Sequence, residues 1–229
     1  MIEKVKVIGF DADDTLWVNE PFFQEVEKLF CRILQPYSAP ESTSAELFKT
    51  EMQNLEIYGY GAKGFILAMI ETAIRITENK IKPEELNQII ENGKTLLTMP
   101  IQLLEGVETT LQKLQEKYKL ILATKGDLLD QERKLSKSGL AGYFHRIEIM
   151  SDKQENNYLK LLKHLDIEPH EFLMVGNSIK SDILPVVNIG AKAVHIPFEV
   201  MWQHETMHSG NNQPEYIIVN KIEDLISLL

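Results

Sequence analysis

The chain opens with a short apolar run and then changes to long stretches in which apolar residues recur every three or four positions. Val5, Val7, Ile8 and Phe10 predict a buried strand of a parallel sheet. Helical spacing follows over four segments, residues 20–34, 44–55, 63–78 and 83–97. Because no strand pattern interrupts these segments, we interpret them as a helical domain inserted after the first strand.

From residue 106 onward, predicted helices and strands alternate. The strands cover residues 119–124, 146–150, 172–175, 192–196 and 216–219, and the helices cover 107–118, 127–138, 153–165, 179–189 and 222–229. This order predicts an α/β fold with a doubly wound, Rossmann-like parallel sheet and right-handed crossovers. We therefore expect residues 1–17 and 99–229 to form the α/β core and residues 18–98 to form the helical domain.

Composition narrows the classes of protein and partner. The 229 residues are 44% hydrophobic and 25% charged, as in ordinary soluble globular proteins, and the net charge of -10 argues against a nucleic-acid partner. No window approaches the ~18 apolar residues of a membrane span, and the sequence does not start with a signal-peptide pattern. Cys31 is the one cysteine, which excludes an intramolecular disulfide. We expect a cytoplasmic protein without a membrane partner, and its oligomeric state is open.

Three carboxylates follow the first predicted strand within four residues. Asp11 and Asp13 point to the same side if the backbone stays extended, and ligands of open α/β sheets bind beyond the carboxyl ends of strands. Two acids this close repel each other unless a cation lies between them or their pKa values separate, and either outcome serves catalysis. The alternative is a solvated turn or a helix N-cap, for which Asp14 and Thr15 are suitable.

Two later strand ends carry groups suited to a phosphoryl group. Thr124, Lys125 and Gly126 offer a hydroxyl, a cation and an exposed backbone N–H. Lys153 follows the strand predicted at 146–150 and could balance carboxylate and phosphate charge. The plainer alternatives are a helix start capped by Thr124 or Asp127, and a surface position for Lys153.

A third strand end is suited to a metal ion. Asn177 and Asp182, in Gly176-Asn177-Ser178-Ile179-Lys180-Ser181-Asp182, offer oxygen ligands of the kind that Mg²⁺ takes. Here too a capping role is the alternative, with Asn177 or Ser178 starting the next helix.

Taken together, these strand ends resemble the four motifs of the haloacid dehalogenase (HAD) superfamily, and the inserted helices resemble its α-helical cap domain. The resemblance implies an aspartyl-phosphate mechanism in which Asp11 is the nucleophile and Asp13 is first the general acid and then the base. Thr124 and Lys153 would hold the transferred phosphoryl group. An acid at position 13 matches the phosphatases of the superfamily, whereas its dehalogenases lack one there.

The resemblance also implies a cofactor and a substrate class. Mg²⁺ would be bound by Asp11, the backbone carbonyl of Asp13, Asn177 and Asp182, and a small phosphorylated metabolite would be hydrolysed. Asn177 replaces the aspartate that most members carry, so we expect weaker Mg²⁺ binding. A phosphomutase with the same residues, or a weakened relative kept for binding, remains an alternative. A response-regulator receiver is disfavoured because it lacks a helical insert after the first strand.

Two further features bear on function. Tyr60 and Lys63 lie in a glycine-rich break between predicted helices and are candidates for substrate contact, although an ordinary turn would have the same composition. His204, Glu205 and His208 fit the zinc-hydrolase pattern H-E-x-x-H. Because Ser209-Gly210-Asn211-Asn212 would end a helix at once, we expect a surface helix or loop there instead.

Overall fold

The computed structural model describes residues 4–205 and 215–229, which form two compact units. The α/β unit comprises the described residues of Met1–Glu20, Ile101–Lys125 and Arg133–Leu229. The helical unit comprises Pro21–Pro100 and also Gly126–Glu132, which the sequence pattern assigns to the core. The domain boundaries after residues 17 and 98 stay a prediction. Within the described ranges, no helix has the length and apolar character needed to span a membrane.

The first four helices follow the first strand, β1 (Val7–Phe10), as the apolar periodicity predicts. They are α1 (Glu20–Leu34), α2 (Pro40–Tyr58), α3 (Ala62–Ile76) and α4 (Pro83–Thr98). Proline starts α2 and α4, where its missing N–H costs no hydrogen bond. In the structure α2 is longer than the predicted 44–55. The prediction began too late because the first turn of α2 is polar and carries no apolar periodicity. Buried residues of all four helices share one apolar core.

The α/β unit contains a parallel sheet whose described strands follow the order β3-β2-β1-β4-β5-β6. The strands are β1 (Val7–Phe10), β2 (Lys119–Lys125), β3 (Arg146–Met150), β4 (Phe172–Gly176), β5 (Lys192–His195) and β6 (Ile217–Ile218). The chain winds outward from β1 to β3 and then returns to β4 on the other side of β1. The carboxyl ends of β1 and its neighbours therefore flank the point at which the winding reverses, the usual ligand position in such sheets.

Helices cover both faces of the sheet, so the doubly wound prediction is confirmed. One face packs against α5 (Val107–Leu114), α6 (Leu128–Ser138) and α9 (Leu225–Leu228) through residues such as Leu111, Leu135 and Leu225. The other face packs against α7 (Glu155–Leu165) and α8 (Leu184–Asn188). Strands buried on both faces explain the continuous apolar runs seen in the sequence.

The segment after β4 differs from the single helix predicted at 179–189. A π-helical turn, Ile179–Ile183, precedes α8. Pro185 has no N–H to donate to the carbonyl of Ser181 four residues earlier, and the Tyr158 hydroxyl donates to that carbonyl instead, at 3.0 Å. The irregular turn thus reflects a proline near the start of α8 and a partner supplied by α7.

Candidate active site

Asp11, Lys153 and Asp182 come from three different strand ends and meet in the structure. The backbone N–H of Asp11 donates to the carbonyl of Val175 at 2.9 Å, so Asp11 continues the register of β1 beside β4. The Lys153 ammonium donates to Asp11 Oδ1 and, at 2.7 Å, to Asp182 Oδ1. The Lys153 side chain is only 1% exposed, so this is a buried cation bridging two carboxylates and not a surface lysine.

Burial and the neighbouring opposite charges shift the pKa values of Asp11 and Lys153 in opposite directions. Burial raises the pKa of Asp11 to about 7, although the Lys153 ammonium lowers it, and the nearby Asp182 carboxylate raises it further. Burial by itself would lower the pKa of Lys153, but the Asp11 and Asp182 carboxylates outweigh burial and raise that pKa above its ordinary value. Lys153 is therefore a permanent cation.

Thr15 links Asp11 to the loop after β4. Its Oγ1 lies 3.0 Å from Asp11 Oδ2 and 3.2 Å from Asn177 Oδ1, so two oxygens from different strand ends face the same hydroxyl. On the other side of the loop, His195 Nε2 donates to the Asn177 carbonyl at 3.0 Å. The sequence indicated no contact for Thr15 beyond a capping role, and it gave no signal for His195, which the end of β5 places here.

Asp13 is oriented by two residues that the sequence analysis missed. Trp17 Nε1 donates to Asp13 Oδ1 at 2.7 Å, and the Lys134 ammonium lies 2.9 and 3.0 Å from the two Asp13 oxygens. Lys134 also donates to Asn19 Oδ1 at 2.7 Å. The spacing of four residues between Asp13 and Trp17 was visible in the sequence, whereas Lys134 reaches the site only through the tertiary fold.

Asp14 has the capping role that the sequence analysis gave as the alternative. Its φ is 61°, and its carboxylate accepts hydrogen bonds from the N–H groups of Asn19, at 2.8 Å, and Glu20, at 2.9 Å, where α1 begins. Burial raises the pKa of Asp14 to about 7, while these N–H donors lower it. The Asp14 carboxylate is thus committed to the start of α1.

The loop after β4 folds back tightly, so that Asp182 lies against the end of the strand. A Cβ at Gly176 would fall 2.3 Å from Asp182 Oδ2, and the Ser178 N–H donates to the same oxygen at 3.0 Å. Ser178 Oγ also accepts from the Ser181 N–H at 3.0 Å, so Ser178 does start the next turn. Glycine at position 176 is therefore required by space and not by a left-handed backbone.

The polar residues at the end of β2 contact other groups of the protein. Thr124 is buried, and its hydroxyl lies 3.4 Å from the Lys125 carbonyl. The Lys125 ammonium donates to Ser181 Oγ at 2.9 Å and forms an ion pair with Glu205. Gly126 has a φ of 136°. Phosphoryl binding by these residues stays a prediction. The Glu205 carboxylate already balances the charge of Lys125.

Tyr60 and Lys63 belong to the helical unit. They follow Gly59 and flank Gly61, with φ values of 70° and 112° at the two glycines. Lys63 Nζ pairs with Asp127 at 3.0 and 3.1 Å, and Asp127 Oδ1 also accepts from the N–H of Asp130 in the first turn of α6. A role of Tyr60 and Lys63 in substrate binding stays a prediction.

The H-E-x-x-H segment is only partly described, because His208 lies outside the described residues. Gln203–Glu205 forms a short 3₁₀ turn. The Glu205 side chain is 12% exposed and accepts hydrogen bonds from Lys125, Ser178 and Ser181, so the expectation of a surface segment is wrong at this residue. Among the described residues, no cluster of three or more His, Cys, Asp or Glu side chains could hold a metal ion.

Asp11, Lys153 and Asp182 thus form a buried charged group at the end of the central strand. Residues 5–190 match the model of the haloacid dehalogenase-like hydrolases, and the chain belongs to this family.

Three relatives illustrate the similarity. A haloacid dehalogenase-like family hydrolase from Xanthomonas campestris has 35% sequence identity and a TM-score of 0.88, over 98% of this chain and 90% of that chain. The glyceraldehyde 3-phosphate phosphatase of Methanothermobacter thermautotrophicus is 24% identical over 98% of this chain and 100% of that protein. The N-acylneuraminate-9-phosphatase of Rattus norvegicus is 30% identical over 39% of this chain and 38% of that protein.

Proposed function

We propose that the protein is a Mg²⁺-dependent phosphatase that hydrolyses a small phosphorylated metabolite through an aspartyl-phosphate intermediate on Asp11. The observation that carries the proposal is the buried Asp11–Lys153–Asp182 group at the end of β1. Two relatives are phosphatases by name, which supports phosphate esters as substrates. Asp13 supplies the second acid that hydrolysis of a phosphate ester needs.

In the first step, the Asp11 carboxylate attacks phosphorus and the bond from phosphorus to the ester oxygen breaks. Lys153 holds Asp11 Oδ1, and the Thr15 hydroxyl faces Oδ2. Asp13 gives a proton to the departing oxygen, so the product leaves as an alcohol. In the second step, water attacks the phosphorus of the acyl phosphate, Asp13 takes the proton of that water, and Asp11 is released as a carboxylate with inorganic phosphate.

The cations near Asp11 decide how well the phosphoryl group is stabilised. Phosphoryl transfer depends mainly on positioning and on positive charge around the equatorial oxygens. Lys153 is buried, and its raised pKa keeps the ammonium charged near neutral pH. Thr124 would add a hydroxyl donor.

The residues at the site fit a Mg²⁺ ion. Asp11 Oδ2 and Asn177 Oδ1 lie 3.0 and 3.2 Å from the same Thr15 hydroxyl, so two hard oxygen atoms of the kind that Mg²⁺ prefers lie close together. Two carboxyl groups, those of Asp11 and Asp182, share the ammonium of Lys153, so a further cation at this group would reduce the repulsion between them. Mg²⁺ would be held by Asp11, the Asp13 carbonyl, Asn177 and Asp182, and it would supply further charge stabilisation to the phosphoryl oxygens.

The test is phosphate release from sugar phosphates, nucleotides and phosphorylated acids, with and without Mg²⁺. Glyceraldehyde 3-phosphate and N-acylneuraminate 9-phosphate belong in the panel because of the named relatives. Since some solved structures with the same fold are dehalogenases, 2-haloacids belong there as well. Asp11→Asn should abolish phosphate release, whereas Asp166→Asn, at an exposed position with a φ of 55° that asparagine tolerates, should not. Halide release alone, or turnover that survives Asp11→Asn, contradicts the proposal.

Substrate choice is assigned to the break between α2 and α3. Tyr60→Ala and Lys63→Ala should raise KM or change the ranking of substrates while sparing a minimal aryl phosphate. The Lys63–Asp127 pair is exposed, so its loss should cost less than about 1 kcal/mol of folding free energy. An equal loss on every substrate, or no change on any, contradicts this assignment.

A further inference from the structure

Glu205 lies far along the chain from the four strand-end motifs, yet its carboxylate contacts two of them. Glu205 Oε1 pairs with the ammonium of Lys125 at the end of β2. Glu205 Oε2 accepts hydrogen bonds from Ser178 Oγ and, at 2.7 Å, from Ser181 Oγ, in the loop after β4. Lys125 closes the network by donating to Ser181 Oγ at 2.9 Å.

A second link ties the same short segment to the same loop. The Lys180 ammonium donates to the His204 carbonyl at 3.0 Å and lies 3.0 Å from Nε2 of the His204 ring. The rings of Trp202 and His204 lie 4.8 Å apart and pack together. Residues 202–205 therefore bind the loop through a carboxylate, a main-chain carbonyl and a ring.

The residues that Glu205 holds are neighbours of the proposed metal ligands. Ser178 follows Asn177 directly, and Ser181 precedes Asp182 directly. The loop also bonds to itself, because the Ser178 N–H donates to Asp182 Oδ2 at 3.0 Å and the Asp182 N–H donates to the Ser178 carbonyl at 2.8 Å. Any displacement of Ser178 or Ser181 would consequently move Asn177 and Asp182 relative to Asp11.

The network is largely buried, which makes its geometry demanding. The side chains of Lys125 and Glu205 are 15% and 12% exposed, so the pair has little water to replace a lost partner. Burial would raise the pKa of Glu205, but Lys125 and the two serine hydroxyls lower it to about 2. Glu205 is thus a carboxylate at every pH of interest and accepts hydrogen bonds on both oxygens.

We propose that Glu205 is a positioning residue, which fixes the loop 177–182 through Ser178 and Ser181 and balances the charge of Lys125, so that Asn177 and Asp182 are set for the metal. The inference rests on the proposed function only where it names the metal. It also assigns a role to the conspicuous acid of the H-E-x-x-H pattern that requires no zinc. Groups that orient metal ligands typically change metal affinity by ~10–100-fold when they are removed.

The test compares Glu205→Gln with wild type in two measurements. Amide hydrogen exchange at Ser178, Ser181 and Asp182 should be at least ~10-fold faster in the variant, and calorimetric Mg²⁺ affinity should fall by ~10-fold or more. Glu199→Gln, an exposed acid of the same segment, is the matched control and should change neither quantity. Unchanged exchange in the loop, or unchanged Mg²⁺ affinity in a variant whose wild type binds Mg²⁺, overturns the inference.

Two further observations distinguish a failure of the Glu205 inference from a variant that does not fold and from a failure of the proposed function. Because Glu205→Gln removes the carboxylate that pairs with Lys125, the double variant Lys125→Met/Glu205→Gln removes both charges of this pair and serves if the single variant does not fold. It should still show fast loop exchange, and normal protection in it would overturn the inference. A wild-type protein without Mg²⁺ binding would defeat the metal assignment, and loop exchange alone would then decide whether Glu205 fixes the loop.

Discussion

Replacing Lys153 by methionine removes the ammonium that bridges Asp11 and Asp182, while it keeps most of the apolar stem. At the 2.7 Å separation from Asp182 Oδ1 and an effective dielectric constant of about 20, the attraction is roughly 6 kcal/mol before the cost of burying the ammonium is subtracted. Buried ion pairs that lose one partner typically cost ~3–5 kcal/mol of folding free energy. We expect Lys153→Met to lower the free energy of unfolding by ~3–5 kcal/mol near neutral pH.

The loss should depend on pH, because the raised pKa of Asp11 couples folding to protonation. In wild type, Asp11 has its pKa raised to about 7, so it contributes stability below the ordinary pKa of a carboxyl and loses it as the pH rises through 7. Without Lys153 the pKa of Asp11 rises further, so the folded variant keeps a proton that the unfolded chain has lost. Between about pH 7 and pH 8.5 this adds ~2 kcal/mol to the difference between variant and wild type.

Urea unfolding measured at about pH 5.5, 7 and 8.5 tests the prediction. Both tryptophans, Trp17 and Trp202, belong to the α/β unit, so tryptophan fluorescence reports on unfolding of the unit that contains Lys153. Lys160→Met, at an exposed position in α7, is the matched control and should stay within about 0.5 kcal/mol of wild type. A loss below ~1 kcal/mol, or a loss that does not grow above pH 7, would refute the view that Lys153 balances two buried carboxylates.

Three further substitutions test other parts of the site. Asp13→Asn should reduce kcat by ~10²–10⁴-fold for an alkyl phosphate and by less for an aryl phosphate with a good leaving group. Steady-state kinetics on both substrates measure this difference, and equal losses would argue against a general acid at position 13. Gly176→Ala should cost ~1–3 kcal/mol in urea unfolding, because its Cβ would fall 2.3 Å from Asp182 Oδ2, whereas Gly142→Ala has open space and should cost little. Asn177→Asp should lower the Mg²⁺ concentration for half-maximal activity, since it adds a negative charge beside the proposed ion, and no shift in a metal titration would remove Asn177 from the ligand set.

Local patterns in the sequence were enough to predict the architecture and the position of the site along the chain. Strands and helices alternate with periods that depend only on nearby residues, so the doubly wound sheet and the helical insert were both predictable, and α1 was predicted at Glu20–Leu34, the bounds that the structure has. Asp11 could be placed at a strand end for the same reason. The ends of later predicted strands deserved attention because the carboxyl ends of parallel strands share one edge of the sheet.

The tertiary structure decided which of those groups meet and which partners they have. Thr15 and Asn177 are 162 positions apart, and Lys125 and Glu205 are 80 apart, so no local periodicity reports on either contact. The Thr15–Asn177 contact depends on β1 lying beside β4 in the strand order, and the Lys125–Glu205 contact depends on the segment after β5 reaching the end of β2. Long-range hydrogen bonds and buried charge pairs depend on how the strands are ordered. The sequence therefore showed that Lys125 is a cation at a strand end, but only the tertiary structure showed that Glu205 is its partner.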